Sequence, residues 1–254
     1  MAYIVTVTNQ KGGVGKTTTA SALAAGSASV LGRRSLAIDL DPQCNLSFSY
    51  GADVGGGVPS VKDVLDGVDP AHCVQHLDQG DLIASTLALA GADRQYTDMG
   101  ASHRLSEAIE SIAEDYELIV IDTPPTLGIL TLMALTASNG AVVPLCADVY
   151  SLQAVGQLLE TVQTVRKYSN QSLEVLGYLV TRFDGRSNAS REYLSLIRQV
   201  SGQSGVPMFG TVIREGVAVR EAAGSGRSVF EAPSKQADDY EAFVREFSAK
   251  VWGE

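Results

Sequence analysis

Short, unbroken apolar runs alternate along the chain with longer stretches whose apolar residues recur every three or four positions. YIVTVTN (3–9), SLAIDL (35–40), LIVID (118–122), AVVPL (141–145), VLGYLV (175–180) and MFGTVI (208–213) are nearly continuous in hydrophobicity, as strands buried on both faces are. Helical spacing fills much of the remainder, from Thr17 to Leu31, His103 to Tyr116, Leu152 to Tyr168 and Ser190 to Val200. Alternation of this kind predicts an α/β fold, a doubly wound and mostly parallel sheet with helices on both faces. Near the end of the chain, Tyr240, Phe243, Val244, Phe247 and Val251 share one helical face, which predicts a helix docked on that sheet. GADVGGGVPS (51–60) reads as a glycine-rich loop with Ser60 as a helix cap before Asp63. No internal repeat interrupts the pattern, and a single domain spanning 1–254 is expected.

Composition narrows the class without naming a function. At 45% hydrophobic and 19% charged residues the chain matches globular proteins, and no apolar stretch reaches the length of a membrane span. The first strand starts at once, leaving no room for a signal peptide, so a cytoplasmic location is expected. Cys44, Cys73 and Cys146 lie far apart without a C-x-x-C pair, which suits reduced thiols. His72 and His76 have the spacing of paired ligands on a helix, yet no third ligand is near, and solvated surface residues are the simpler reading. The net charge of −10 argues against a surface that binds phosphate backbones everywhere. Charge is unevenly spread, however: residues 182–227 hold seven arginines and four acids. From composition alone, solvated helix faces are a simpler account of that excess than a phosphate-binding patch.

The chemistry gathers behind the first strand, in NQKGGVGKTT (9–18). The loop pattern G-x-x-x-x-G-K-[ST], fitted to Gly15, Lys16 and Thr17, requires glycine where Gln10 stands, and a second lysine, Lys11, follows. Glycines let backbone N–H groups converge on phosphate oxygens, and the helix starting at Thr17 adds its positive end. Lys16 is expected to reach the β- and γ-phosphates and the Thr17 hydroxyl to ligate Mg²⁺. Two other strands end in carboxylates. Asp122 closes LIVID where an acid would hold the hydrated Mg²⁺, and a charge after four apolar residues needs such a partner. SLAIDLDPQ supplies Asp39 and Asp41, Asp39 for the metal or for fixing the loop, and Asp41 for a water in line with the γ-phosphate or for a turn before Pro42.

KGGVGKTT, DLDPQ and DTPP, in this order, together with ALTAS, resemble the ParA/MinD group of deviant-Walker ATPases across nearly the whole chain, and most of all its short, Soj-like partition proteins. The resemblance implies a P-loop ATPase with ATP or ADP and Mg²⁺. Lys11, Gly12, Gly13, Val14, Gly15, Lys16, Thr17 and Thr18 would surround the phosphates, with Arg182 and Ile213 on the nucleotide and Thr17, Asp39 and Asp122 at the metal. Lys11, Lys16 and Asp41 form the implied catalytic set. In that family the lysine matching Lys11 reaches the nucleotide of the other subunit, so a homodimer on ATP binding is implied. Non-specific double-stranded DNA through Arg191, Arg214, Arg220 and Arg227, a ParB-like stimulatory partner and nucleoid association follow from the same resemblance. No membrane partner is expected, because residues 235–254 carry five acids and three bases. The chain also departs from the family. Arg214 and Glu215 stand where many relatives have proline and arginine, and Cys44 replaces a common glycine, which should make a positive φ less accessible there. A MinD-like positioning regulator and a ligase of the dethiobiotin synthetase kind are the alternatives.

Overall fold

The computed structural model describes residues 1–146 and 149–254, with their side chains except at 149–154 and 220. Its sheet joins β1 (Tyr3–Val7), β2 (Ser35–Asp39), β3 (Val74–Leu77), β4 (Gly80–Ile83), β5 (Leu118–Asp122), β6 (Gly140–Cys146), β7 (Glu174–Phe183) and β8 (Met208–Arg214). The order is β3-β4-β2-β5-β1-β6-β7-β8, parallel except for the β3–β4 hairpin at one edge. β1 therefore lies between β5 and β6, and the connection leaving its carboxyl end emerges at the centre of the sheet. That is the crevice where open α/β sheets hold ligands.

The helices are α1 (Lys16–Leu31), α2 (Asn45–Ser49), α3 (Val61–Leu65), α4 (Ala92–Gln95), α5 (Arg104–Glu110), α6 (Ile129–Ala137), α7 (Val149–Tyr168), α8 (Asn188–Ser204), α9 (Ala218–Gly224) and α10 (Lys235–Trp252). Successive strand residues face opposite ways, which divides the core. Val5, Val7, Val120 and Val142 pack with Leu23 of α1 and with Tyr240, Phe243, Val244 and Phe247 of α10. Ile119 and Ile121 face the side of α3, α5 and α6, while Val143 and Leu145 meet α7 and Ile197 of α8. Helices thus cover both faces, as the alternating pattern predicts. Val251, the fifth member of the predicted apolar face, is partly buried at its end.

Three local differences have physical causes. The stretch expected to be helical to Tyr116 leaves the α-helix after Glu110 and continues through i→i+3 turns such as Asp115 N to Ile112 O, still burying Ile112, Ala113 and Tyr116. His72 lies in a 3₁₀ turn and His76 on β3, hydrogen-bonded to Asp81 at 2.6 Å, so the two do not share a helix. Cys44 does adopt a left-handed backbone (φ 55) despite its Cβ. Such a conformation costs a non-glycine residue about 1–2 kcal/mol. It is held by Cys44 N donating to Asp41 O at 2.9 Å, by Phe48 N donating to Cys44 O at 2.9 Å, and by burial of the side chain. Ser60 caps α3 as expected, its N–H donating to Asp63 Oδ2 at 2.8 Å.

Phe243 is fully buried where α10 meets the sheet, edge-on to Phe209 at 5.1 Å between ring centres. Phe243→Ala is expected to lower unfolding stability by about 3–5 kcal/mol, read from the urea midpoint at unchanged slope.

Candidate functional site

The loop from Thr8 to Gly15 joins β1 to α1 and is stapled on several sides. Asn9 donates through Nδ2 to Pro144 O at 2.7 Å and accepts Lys11 N at 2.9 Å, fixing the loop's entry. Gly13 and Gly15 take φ values of +74 and +84, which side-chain-bearing residues rarely adopt. Val14 is buried behind the loop, and its carbonyl accepts the Thr181 hydroxyl at 2.8 Å, tying the loop to β7. Lys16 opens α1 and folds back, donating from Nζ to Lys11 O at 3.0 Å. Burial pulls its ammonium below the usual lysine range, against the opposing charges of Asp122 and Asp41. Thr17 and Thr18, half-buried in the first turn of α1, face the cavity that the loop borders.

That cavity encloses about 660 Å³, within the range of sites for a mononucleotide. Its lining includes Gly12, Gly13, Gly15, Lys16, Thr17 and Thr18 of the loop and first turn, with Asp41, Gln43, Arg182, Ile213 and Glu215. The lining begins at Gly12. Lys11, just before it, is half-buried.

The three carboxylates have three different environments. Asp39 and Asp122 are register partners at the tips of β2 and β5, both inaccessible to solvent. Asp39 accepts Asp41 N at 3.0 Å on Oδ1, and Ser47 N at 2.9 Å and Ser47 Oγ at 2.7 Å on Oδ2. Burial raises its pKa to about 6 despite these bonds. Its oxygens are committed to the loop, which is the loop-fixing alternative for this residue. Asp122 has no hydrogen-bond partner among the described residues. Burial, and then the charge of Asp39, hold its carboxyl well above the ordinary range, opposed by the Thr17 hydroxyl and the Lys16 ammonium. Asp41 lines the cavity; its Oδ1 accepts Gln43 N at 3.0 Å and its carbonyl accepts Ser85 Oγ at 2.7 Å. Ser85 N in turn donates to Ser47 Oγ at 2.9 Å, so Ser47 and Ser85, which sequence reading passed over, hold the loop that carries Asp41.

The donor set fits a hard dication. Among the described residues no three His, Cys, Asp or Glu side chains gather as a protein-only metal site. An unsatisfied buried carboxylate beside a threonine hydroxyl is what Mg²⁺ needs when phosphates and waters complete its shell.

The arginines assigned to DNA are dispersed. Arg214 and Arg227 border the cavity, and Arg191 lies on α8, donating to Asn188 Oδ1 at 3.0 Å. Asp239 grips the Arg214 guanidinium at 2.6 and 2.8 Å. Arg227 lies 3.9 Å from Glu231. The side chain of Arg220 falls outside the described residues. Arg182 has a left-handed backbone (φ 53) and donates to Gly13 O at 3.3 Å.

A glycine loop between a central parallel strand and a helix, with a lysine in its first turn and carboxylates on neighbouring strand tips, defines a P-loop nucleotide-binding protein. The family model described as "AAA domain" matches residues 2–175. Soj of Bacillus subtilis, a sporulation initiation inhibitor protein, is 35% identical over 98% of this chain and 99% of its own length. The chromosome-partitioning ATPase Soj of Thermus thermophilus is 39% identical over 97% and 96%. The chain belongs to the ParA/Soj family of partition ATPases. Among solved structures, the Mycobacterium smegmatis cobyrinic acid a,c-diamide synthase with ADP and magnesium matches with a TM-score of 0.84 at 32% identity, covering 100% and 97% of the two chains. A Cyanothece McdA–ATP complex matches in fold, with a TM-score of 0.85 at 23% identity and coverage of 96% and 95%.

A carboxyl with a raised folded pKa favours the folded state while protonated in both states, and that advantage is lost as pH climbs from about 4 toward the folded value. Asp122→Asn, which cannot ionise, is therefore expected to exceed the wild type in stability at pH 8 without Mg²⁺, the gap closing near pH 4. Thermal unfolding across that pH range measures it.

Proposed function

We propose that this protein is an ATP-driven partition switch. ATP binds with Mg²⁺ on the phosphate loop, two subunits join, the dimer takes up DNA without sequence preference, and hydrolysis releases it. The observation that carries the reading is a phosphate loop with a second lysine, Lys11, ahead of its glycines, in a chain related over nearly its full length to chromosome-partitioning proteins. Set against a second subunit's triphosphate, the Lys11 ammonium would offset charge on the transferring phosphoryl group as an arginine finger does.

Within one subunit, the loop N–H groups and Lys16 bind the β- and γ-phosphates, and Thr17 and Asp122 would hold the metal. Bound Mg²⁺ supplies charge neutralisation across the phosphates. Asp41, whose loop is held by Ser85 and by the Asp39–Ser47 anchor, would orient the attacking water. Arg191, Arg220 and Arg227 contribute the DNA face, and pairing two such faces strengthens a modest patch multiplicatively. A ParB-like protein stimulates the slow step, and the ATP-bound form is nucleoid-associated in the cytoplasm. No helix among the described residues is long and apolar enough to cross a membrane. The likeness to the Mycobacterium smegmatis synthase makes an amide-forming ligase the second reading.

Light scattering on size-exclusion columns with ATP and DNA separates the two. Wild type and Asp41→Ala should dimerise with ATP and retain DNA, Asp41→Ala with hydrolysis slowed at least tenfold, on the scale of losing a catalytic base or water-positioning group. Lys11→Ala should bind ATP as a monomer and release DNA. ATP-independent monomers throughout would rule out the switch. Lys16→Ala should lose nucleotide binding itself, measured by equilibrium titration.

A further inference from the structure

Ser85, which holds the carbonyl of Asp41, begins a short stretch of chain that ends against the other carboxylate-bearing connection. From Ser85 the chain passes through a 3₁₀ turn (Leu87–Gly91) into α4, where Asp93 accepts the backbone N–H of Ile129 on Oδ1 at 2.7 Å. Ile129 opens α6, the helix entered by the connection from Asp122, and that connection borders the cavity through Pro125. Between the two ends, Leu89 and Ala92 are buried in the same core as Leu130 and Met133 of α6, so the stretch is anchored along its length.

The junction at α6 is shaped for a carboxylate. Gly128 stands at the N-cap and, having no side chain, leaves the first N–H groups of the helix without a cap of their own. Asp93 supplies one from 36 residues away. A methyl group on Gly128 would lie 2.6 and 2.8 Å from the two Asp93 carboxylate oxygens, too close for either to stay, so glycine is what admits the acid. The connection has two other ties: Thr123 Oγ1 donates to Val7 O at 3.0 Å, and Thr131 Oγ1 donates to Thr126 O at 2.6 Å. The first reaches β1 and the second is local. The tie at Asp93 is the one that leads back to the Asp41 side of the site.

We propose that Asp93 is a positioning residue for the nucleotide's metal: through the first turn of α6 it holds the Asp122–Pro125 connection in the frame that Ser85 sets for Asp41. This rests on the assignment of Asp122 to Mg²⁺ in the function proposed above. A ligand that needs a connection in place binds more weakly as the fraction of molecules holding it there falls, and each lost tie lowers that fraction. Neither Asp93 nor Gly128 lines the cavity, so changing them leaves the phosphate loop's own contacts intact.

Calorimetric titration of the full chain with the β,γ-imido analogue of ATP, with and without Mg²⁺, tests this. The quantity read is the gain in affinity that Mg²⁺ brings. Asp93→Ala should lower that gain about two- to fivefold, the scale of losing one N-cap, with metal-free affinity unchanged. Gly128→Ala should do the same by forcing the carboxylate away. Added to Asp93→Ala it should bring no further loss, because the group it displaces is then absent. Thermal midpoints near the wild type's would show that the variants are folded. A general loosening of the fold would weaken metal-free binding equally, so an equal fall with and without Mg²⁺ overturns the proposal. So does a gain unchanged in both single variants, or losses that add in the double variant. A wild type that binds the analogue with no gain from Mg²⁺ defeats the metal role of Asp122 and the proposal with it, whereas a normal gain that Asp93→Ala leaves intact defeats the proposal alone.

Discussion

Two carboxylates at the dry centre of the sheet govern the rest of the site. Asp39 and Asp122 sit opposite one another on β2 and β5, and no solvent reaches either. Buried charges of like sign cannot both persist without compensation. The protein compensates one of them itself, with two N–H groups and a hydroxyl on Asp39. Asp122 receives no hydrogen bond from the described residues, although Lys16 and Thr17 are near enough to favour its charged form. The asymmetry divides structural from ligand-directed chemistry between two residues of the same type.

Around that centre the main chain is constrained in ways that serve position over stability. The phosphate loop is tied to β6 through Asn9, to β7 through Val14 and Thr181, and to Arg182 through Gly13. Cys44 and Arg182, the non-glycine residues described with positive φ, follow the carboxylate loop and line the cavity respectively. Left-handed backbone at such residues is retained only where the surroundings over-determine it, and it concentrates at functional sites. The groups that would act on a nucleotide sit on strand tips and on the short, tied connections that leave them.

The sheet was legible because most of its strands are buried on both faces and need continuous apolar runs; LIVID coincides with β5 to the residue. The β3–β4 hairpin was not, since an edge strand reading VQHL has little periodic signal. The phosphate loop and Asp122 were visible as a motif and as a charge ending an apolar run. Ser47 and Ser85 were invisible because a serine's partners depend on tertiary placement, 38 residues apart in this case. The left-handed backbone at Cys44 ran against its side-chain chemistry, and tertiary hydrogen bonds outweighed the intrinsic preference.

Charge counting along the sequence also misjudges which arginines can meet a polyanion. Arg182, Arg186, Arg214 and Arg227 each have an acidic neighbour, so the local excess of positive charge is smaller in effect than its formal value. The pairs are not equivalent. Arg186–Asp184 and Arg227–Glu231 are exposed and loose, at 3.4 and 3.9 Å, and exposed pairs contribute only about 0–1 kcal/mol, so a phosphate can displace the acid. Arg214 is different: Asp239 is largely shielded from solvent, takes both Nε and Nη2, and also accepts the Arg214 backbone N–H. Pulling that guanidinium away would strand a shielded carboxylate and loosen the join between β8 and α10. Arg214 therefore belongs to the fold, and any phosphate-binding face must be drawn from arginines whose acidic neighbours can be exchanged.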